Sequence, residues 1–167
     1  MPDQTDSLFP AHLAELRRRA DAALEAGEFA ALVVYSGRPR YAFQDDRPYP
    51  FAVNPHFKHW LPITDAPDCF IAYAPGHRPR LCFHQPADYW HRPPVLPDGD
   101  WQREFDISIV REPGAARELL SPDLRSTAFV GEWQPEFQPW GFGAVNPAAL
   151  LARLHFQRAV KTPYELE

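Results

Sequence analysis

The sequence predicts an α/β domain in which a mixed β-sheet is flanked by helices. Three observations support this prediction. Amphipathic helical patterns lie near both ends of the chain, short apolar runs rich in β-forming residues lie between them, and two of these runs are joined by a Pro-Gly turn. Because strand and helix patterns follow one another along the chain, the helices are expected to pack on the sheet.

The first two elements are a helix and a strand. Apolar residues recur at helical spacing from about Leu8 to Ala26 with charged residues between them, and Gly27 follows as a stop signal. The basic cluster at residues 17–19 lies within this pattern and is interpreted as a solvated helix face. The apolar run at residues 29–36 then predicts a strand that is covered on both faces.

The next elements form a predicted β-hairpin around the Pro-Gly turn at residues 75–76. If Ala74 lies opposite Pro79, Cys69 lies only diagonally from Cys82 across the two strands. A disulfide between these cysteines is then possible but not favoured. Two buried free thiols in a cytoplasmic protein are the simpler interpretation.

The remaining elements are two strands at residues 106–110 and 127–131, a short helix at residues 114–120 between them, and a longer C-terminal helix. This last helix is predicted to begin with Asn146 as its N-cap and Pro147 at its first position, and to extend to about residue 160.

A second helix start follows directly. Thr162 is placed as an N-cap, Pro163 takes the first helical position, and Glu165 completes a capping box. The sequence stops five residues into this helix, although an isolated helix shorter than about 12 residues is marginal in water. We therefore expect a domain at residues 1–160, followed at residues 161–167 by the start of a helix that leads into a missing domain.

The composition argues against two classes of partner. The net charge is −5, with 17 basic and 22 acidic side chains, whereas a nucleic-acid-binding surface needs a basic stripe. No segment approaches the roughly 20 apolar residues of a membrane span. The N-terminus carries acidic residues and no basic region, so a secretory signal is not expected. We therefore expect a cytoplasmic location.

Common catalytic and metal-binding motifs are missing from the sequence. It has no complete phosphate-binding glycine pattern, no nucleophile elbow, no Cys-x-x-Cys pair and no His-Glu-x-x-His motif. His56 and His59 are three residues apart, but the sequence FKHW alternates like a short strand, which would place these histidines on opposite faces. A metal site formed within this chain is therefore not expected.

The stretch DDRPYPFAVNPHFKHWLP at residues 45–62 combines two aspartates with prolines and large aromatic side chains. Its prolines indicate that most of it is loop. A turn is the simpler interpretation of Asp45, because adjacent side chains of an extended chain point to opposite faces and do not share a proton. Phe57 and Trp60 are expected to pack in the core. The aromatic residues of PADYWHRPP at residues 86–94 are harder to bury and suggest contact with a partner or ligand.

These motifs, together with KTPYELE at the C-terminus, resemble the amino-terminal domain of bacterial prolidases. Prolidases are Xaa-Pro dipeptidases of the creatinase/aminopeptidase P ("pita-bread") superfamily. The resemblance extends in order over essentially the whole chain and implies a ribonuclease H-like fold. It is closer to the bacterial dipeptidase branch, which includes enzymes that also hydrolyse organophosphorus compounds, than to creatinase.

The resemblance implies that the parent protein is a metallopeptidase whose catalytic domain follows this chain. That domain would hold two divalent metals, usually manganese, through two Asp, one His and two Glu side chains. Metal ions in such a site polarise the scissile carbonyl and lower the pKa of a bound water. None of these ligands would lie in residues 1–167, so the chain alone is expected to be inactive.

The resemblance also implies that the amino-terminal domain builds a homodimer and walls the partner subunit's active site. Asp46 matches the acid presented to the neighbouring pocket, and Trp90 matches the aromatic side chain that closes it. A carboxylate can pair with the α-ammonium of a dipeptide, and an aromatic wall excludes longer peptides. Gln44 and Arg47 depart from the family pattern, and Arg47 could neutralise either aspartate. The alternative is a non-catalytic dimerisation or binding module of a metal-less homologue.

Overall fold

The structure is a computed structural model that describes residues 4–87 and 93–166. The helices of this part of the chain are α1 (Gln4–Gly27), α2 (Pro55–Trp60), α3 (Arg117–Leu120) and α4 (Ala148–Ala159). The strands are β1 (Ala31–Tyr35), β2 (Phe70–Tyr73), β3 (Arg80–His84), β4 (Asp106–Val110), β5 (Thr127–Val130) and β6 (Ala144–Val145).

The strands form one sheet in the order β4-β3-β2-β1-β5-β6. The pairs β1/β2 and β2/β3 are antiparallel, whereas β1/β5, β3/β4 and β5/β6 are parallel. Every residue of the central strand β1 is buried, as expected of an apolar run that is covered on both faces. The predicted mixed sheet with flanking helices is therefore confirmed.

The two faces of the sheet pack against different elements. On one face, α1, α2 and α4 cover the side chains of Leu32 and Val34. On the other face, α3 and the 3₁₀ turn Pro135–Trp140 cover Val33 and Tyr35. The alternation of β1 side chains between the two clusters follows from the two-residue period of a strand.

Phe57 and Trp60 are buried in the cluster that contains α1, as predicted. Their element is nevertheless helical, so the expectation of a short strand for FKHW was wrong. Asn54 caps this helix by accepting a hydrogen bond from the backbone N–H of His56 at 2.9 Å, and Pro55 takes the first helical position. The cap and the proline favour a helix more strongly than four alternating residues favour a strand.

The predicted hairpin forms, but its expected register was wrong by one residue. Phe70 pairs with Cys82, because a β-turn closed by the hydrogen bond from His77 N–H to Ala74 C=O (3.1 Å) leaves Pro79 outside the tight turn. A one-residue slip moves side chains to the other face of a sheet. Cys69 and Cys82 consequently belong to opposite core clusters and are both free and buried.

Three other boundaries differ from the sequence predictions. Helix α1 begins earlier, at Gln4, and the helix expected at residues 114–120 is a 3₁₀ turn, Pro113–Ala116, followed by α3. Asn146 is not the N-cap of α4. It has a positive φ of 49°, and its side-chain amide makes two hydrogen bonds with the backbone of Gly131, at 2.9 and 2.8 Å. This pairing ties the start of α4 to the end of β5.

The end of α4 is held by α1. The Arg19 guanidinium donates hydrogen bonds to the carbonyl oxygens of Gln157 and Val160, each at 2.8 Å. The Gln157 side chain donates in return to the Arg19 carbonyl oxygen at 3.1 Å. Arg19 therefore adds hydrogen bonds to carbonyl groups at the C-terminal end of α4.

The segment after α4 is also fixed to α1. His12 Nε2 lies 2.9 Å from the His59 carbonyl oxygen, and His12 Nδ1 lies 2.6 Å from Thr162 Oγ1. Because a carbonyl only accepts, neutral His12 carries its proton on Nε2, and the Thr162 hydroxyl donates to Nδ1. The backbone N–H of Thr162 donates to Glu165 Oε2 at 3.0 Å, which confirms the predicted capping box.

Three histidines on α1 and α2 are largely removed from solvent, which favours their neutral forms. Burial lowers the pKa of His56 and of His59 to about 4, and it also lowers the pKa of His12. The unfolded chain, in which a histidine has a pKa near 6.5, binds more protons than the folded chain between pH 6.5 and about 4. The histidines therefore destabilise the fold as the pH falls through this range.

We predict that the free energy of unfolding falls when the pH is lowered from 7 to 5. His56 and His59 each account for a loss of about 2 kcal/mol, measured by urea unfolding followed through tryptophan fluorescence. His56→Asn should reduce this pH dependence, whereas His77→Asn, at an exposed histidine, should not. Equal stability at pH 7 and pH 5 would contradict the prediction.

Candidate functional site

The candidate site is a projection of residues 37–53 between β1 and α2, here termed the arm. A bridge between Tyr41 and Pro48 and the hydrogen bonds from Ala42 N–H to Arg47 C=O (3.0 Å) and from Tyr49 N–H to Arg40 C=O (2.7 Å) make it a short antiparallel ribbon. The arm is thus ordered by its own backbone pairing and not only by its prolines.

The tip of the arm uses its two aspartates differently. The Asp45 carboxylate accepts a hydrogen bond from the backbone N–H of Arg47 at 3.1 Å, which confirms its interpretation as a turn residue. Asp46 is exposed and makes no hydrogen bond or ion pair within residues 4–87 and 93–166. The Arg47 guanidinium pairs with neither aspartate in the described part of the chain. The Asp46 carboxylate is therefore available to a group outside the described residues.

The arm exposes three aromatic side chains. Tyr41, Phe43 and Tyr49 are 64%, 89% and 59% exposed. Exposed apolar side chains grouped in this way mark interaction surfaces. Tyr49 belongs to the stretch at residues 45–62 that the sequence predicts to be mostly loop, whereas Tyr41 and Phe43 precede that stretch and were missed.

A partly buried ion pair fixes the base of the arm. Arg38 Nε donates to the Oδ1 and Oδ2 atoms of Asp68 at 2.9 and 3.1 Å, and Arg38 Nη1 donates to Glu136 Oε1 at 2.6 Å. The hydroxyl of Tyr35, at the end of β1, donates to Asp68 Oδ1. Burial, together with this carboxylate, raises the pKa of Tyr35, so the phenol remains a donor at neutral pH.

The backbone on both sides of the arm is also paired. The N–H of Asn54 donates to the Ser36 carbonyl, and the N–H of Asp68 donates to the Gly37 carbonyl, each at 2.8 Å. The Asn54 side-chain amide donates to the Tyr35 carbonyl at 2.8 Å. The two ends of the arm are thereby closed against the end of β1.

The structure describes only one of the two predicted site residues. Asp46 lies at the tip of the arm, whereas Trp90 belongs to residues 88–92, outside the described residues. The structure therefore does not relate Trp90 to Asp46.

The described residues do not form a metal centre. Within them, no group of three or more His, Cys, Asp or Glu side chains is placed to hold a metal ion. His56 and His59 have different ring neighbours, His155 at 4.8 Å and His12 at 5.7 Å between ring centroids. No helix in this part of the chain is long and apolar enough to cross a membrane.

Solved structures with a similar fold are aminopeptidases. Aminopeptidase P from E. coli with the inhibitor Pro-Leu matches 92% of this chain and 40% of its own, with a TM-score of 0.59 and 14% sequence identity. The aminopeptidase PepP of Pseudomonas aeruginosa matches the same shares with a TM-score of 0.54 and 15% identity. The chain thus has the α/β fold found in these aminopeptidases.

Sequence comparisons define the family more closely. A family model described as "Xaa-Pro dipeptidase, N-terminal domain" matches residues 7–156. The Xaa-Pro dipeptidase of Shewanella frigidimarina is 42% identical over 165 residues, which are 99% of this chain and 38% of that protein. That of Stenotrophomonas maltophilia (strain K279a) is 47% identical over 160 residues, 96% of this chain and 36% of that protein. The chain belongs to the family of Xaa-Pro dipeptidase N-terminal domains and spans less than two fifths of the length of these relatives.

We predict that Asp68→Asn lowers the free energy of unfolding of this chain by about 2 kcal/mol, because the partly buried Arg38 guanidinium then keeps only the more exposed carboxylate of Glu136. Asp46→Asn removes a carboxylate that has no partner in the described residues and should change stability by less than about 0.5 kcal/mol. Urea unfolding of both variants measures the difference. Similar losses in the two variants would show that the base of the arm does not depend on the ion pair.

Proposed function

We propose that this chain is the amino-terminal part of an enzyme that hydrolyses dipeptides with a C-terminal proline. The observation that carries the proposal is the match of residues 7–156 to the N-terminal domain of Xaa-Pro dipeptidases. The relatives are more than twice as long as the matched segment, so the proposal assigns catalysis to the rest of the parent protein. We further propose that the parent is cytoplasmic and that organophosphorus compounds are side substrates.

The proposal assigns the metal centre to the rest of the parent as well. The described residues do not offer a set of three ligands, so they do not fit a site for two divalent metals. Manganese is the proposed metal, and its ligands would come from the catalytic domain. This chain would then contribute surfaces that bind and orient a substrate.

The arm is the proposed contribution to the active site of a partner subunit in a homodimer. Asp46 is exposed and has no partner in the described residues, which leaves its carboxylate able to bind the α-ammonium of a dipeptide through charge-assisted hydrogen bonds. The exposed aromatic side chains beside it suit burial against another protein surface. Trp90 is proposed to close the same pocket and to exclude longer peptides.

We predict that the full-length parent, supplied with Mn²⁺, hydrolyses Ala-Pro and that the 167-residue chain does not. The reason is that the chain would supply a substrate-binding carboxylate, whereas its described residues offer no set of three metal ligands. Release of free proline measures both activities under identical conditions. Hydrolysis of Ala-Pro by the 167-residue chain would contradict the assignment of catalysis to the rest of the parent. A folded, manganese-bound parent without activity would favour the alternative, a non-catalytic module.

Asp46→Asn in the parent should lower kcat/KM for Ala-Pro by at least about tenfold, because a neutral amide loses the ion pair with the substrate ammonium. Asp45→Asn is the matched control, since an asparagine keeps the turn that Asp45 makes. With N-acetyl-Ala-Pro, which has no ammonium group, the Asp46→Asn parent and the unmodified parent should have the same kcat/KM.

The metal content of the Asp46→Asn parent should equal that of the unmodified parent. Unchanged kinetics with Ala-Pro would refute the role of Asp46. The same assay applies to Trp90→Ala, which is expected to lower turnover without loss of metal, and full turnover would refute the role of Trp90.

A further inference from the structure

Six of the nine exposed large apolar side chains of the described residues lie in two segments of the chain. Three lie on the arm, and three lie in the last eleven described positions of the chain: Phe156, Val160 and Leu166 are 73%, 51% and 75% exposed. The arm is already assigned to a partner subunit by the proposed function. The C-terminal group has no role in that assignment.

Phe156 lies on the outer side of α4, one turn before the helix ends, and Val160 is the C-cap residue directly after its last residue. Leu150 and Leu154, which are buried, define the opposite side of the helix, where α4 packs on the core. The outer side of α4 is therefore apolar at its C-terminal end although no described residue covers it.

This outer surface is held rigidly. The two hydrogen bonds of Arg19 fix the carbonyl groups at the end of α4, and His12 and Glu165 fix Thr162 immediately after it. The ring of Tyr164 packs edge-on against Phe9 at 5.3 Å between centroids. A surface fixed before binding loses little conformational entropy when it is covered.

We infer that Phe156, Val160 and Leu166 form a docking surface for the catalytic domain of the same parent chain. This inference rests on the proposed function. The matched relatives extend well beyond the segment that corresponds to this chain, and the matched segment is the N-terminal one. The following polypeptide thus continues from a point only about ten residues after Phe156 in sequence, and a short connection gives it a high effective concentration at this surface.

Alkylation of an introduced cysteine tests the inference. Cys69 and Cys82 are buried, and burial raises the pKa of both thiols to about 12, so neither competes with an exposed thiol for iodoacetamide. Phe156→Cys is placed in the 167-residue chain and in the full-length parent. His77→Cys, in the exposed β2–β3 turn, is the control in both proteins.

We expect the thiol at position 156 to react at least tenfold more slowly in the parent than in the 167-residue chain, while the control thiol reacts at the same rate in both. Equal rates at position 156, or equal slowing at both positions, would overturn the inference. Slowing that depends on the concentration of the 167-residue chain would identify a second copy as the occupant and would also overturn it. Ala-Pro hydrolysis by the unmodified parent, measured separately, distinguishes a failure of the proposed function from a failure of this surface.

Discussion

The ion pair between Arg38 and Asp68, with the Tyr35 hydroxyl as a third member, is the interaction on which the candidate site depends. A carboxylate buried beside a sheet is stable only if it is paired and hydrogen-bonded. Asp68 meets this requirement by binding one group at the end of β1 and another at the start of the arm. It therefore converts the end of the central strand into a fixed base from which the arm projects.

Helix α1 has a comparable role for the C-terminal segment that follows α4. Its residues His12 and Arg19 bind the segment that follows α4, and the same helix packs on the face of the sheet that contains Leu32 and Val34. The arm and the C-terminal segment are consequently both anchored to the same sheet, the C-terminal segment through α1. In a dimer of two-domain subunits, this would fix the position of one subunit's arm relative to its own catalytic domain.

Much of the fold could be predicted from local patterns, because the strands and the two long helices have strong periodicity. The errors arose where the sequence favoured two local structures almost equally. The turn at Pro75-Gly76 decided the register, and the Asn54 cap outweighed the alternation of FKHW. The base of the arm could not be predicted, since Tyr35 and Asp68 are far apart in sequence. Asp46 was found through the family resemblance, and only the structure showed that its carboxylate has no partner among the described residues.

The closure of the arm at its base affects which changes in the length and sequence of the arm the domain can tolerate. The hydrogen bond from Asn54 to Ser36 joins the two ends of the arm independently of the residues between them, and the bond from Asp68 to Gly37 holds its first residue to the segment before β2. Longer insertions between such closed ends cost little, because loop-closure entropy grows only slowly with length. The arm can therefore be lengthened, shortened or replaced while the sheet stays intact, and selection can alter what it recognises without refolding the domain that carries it.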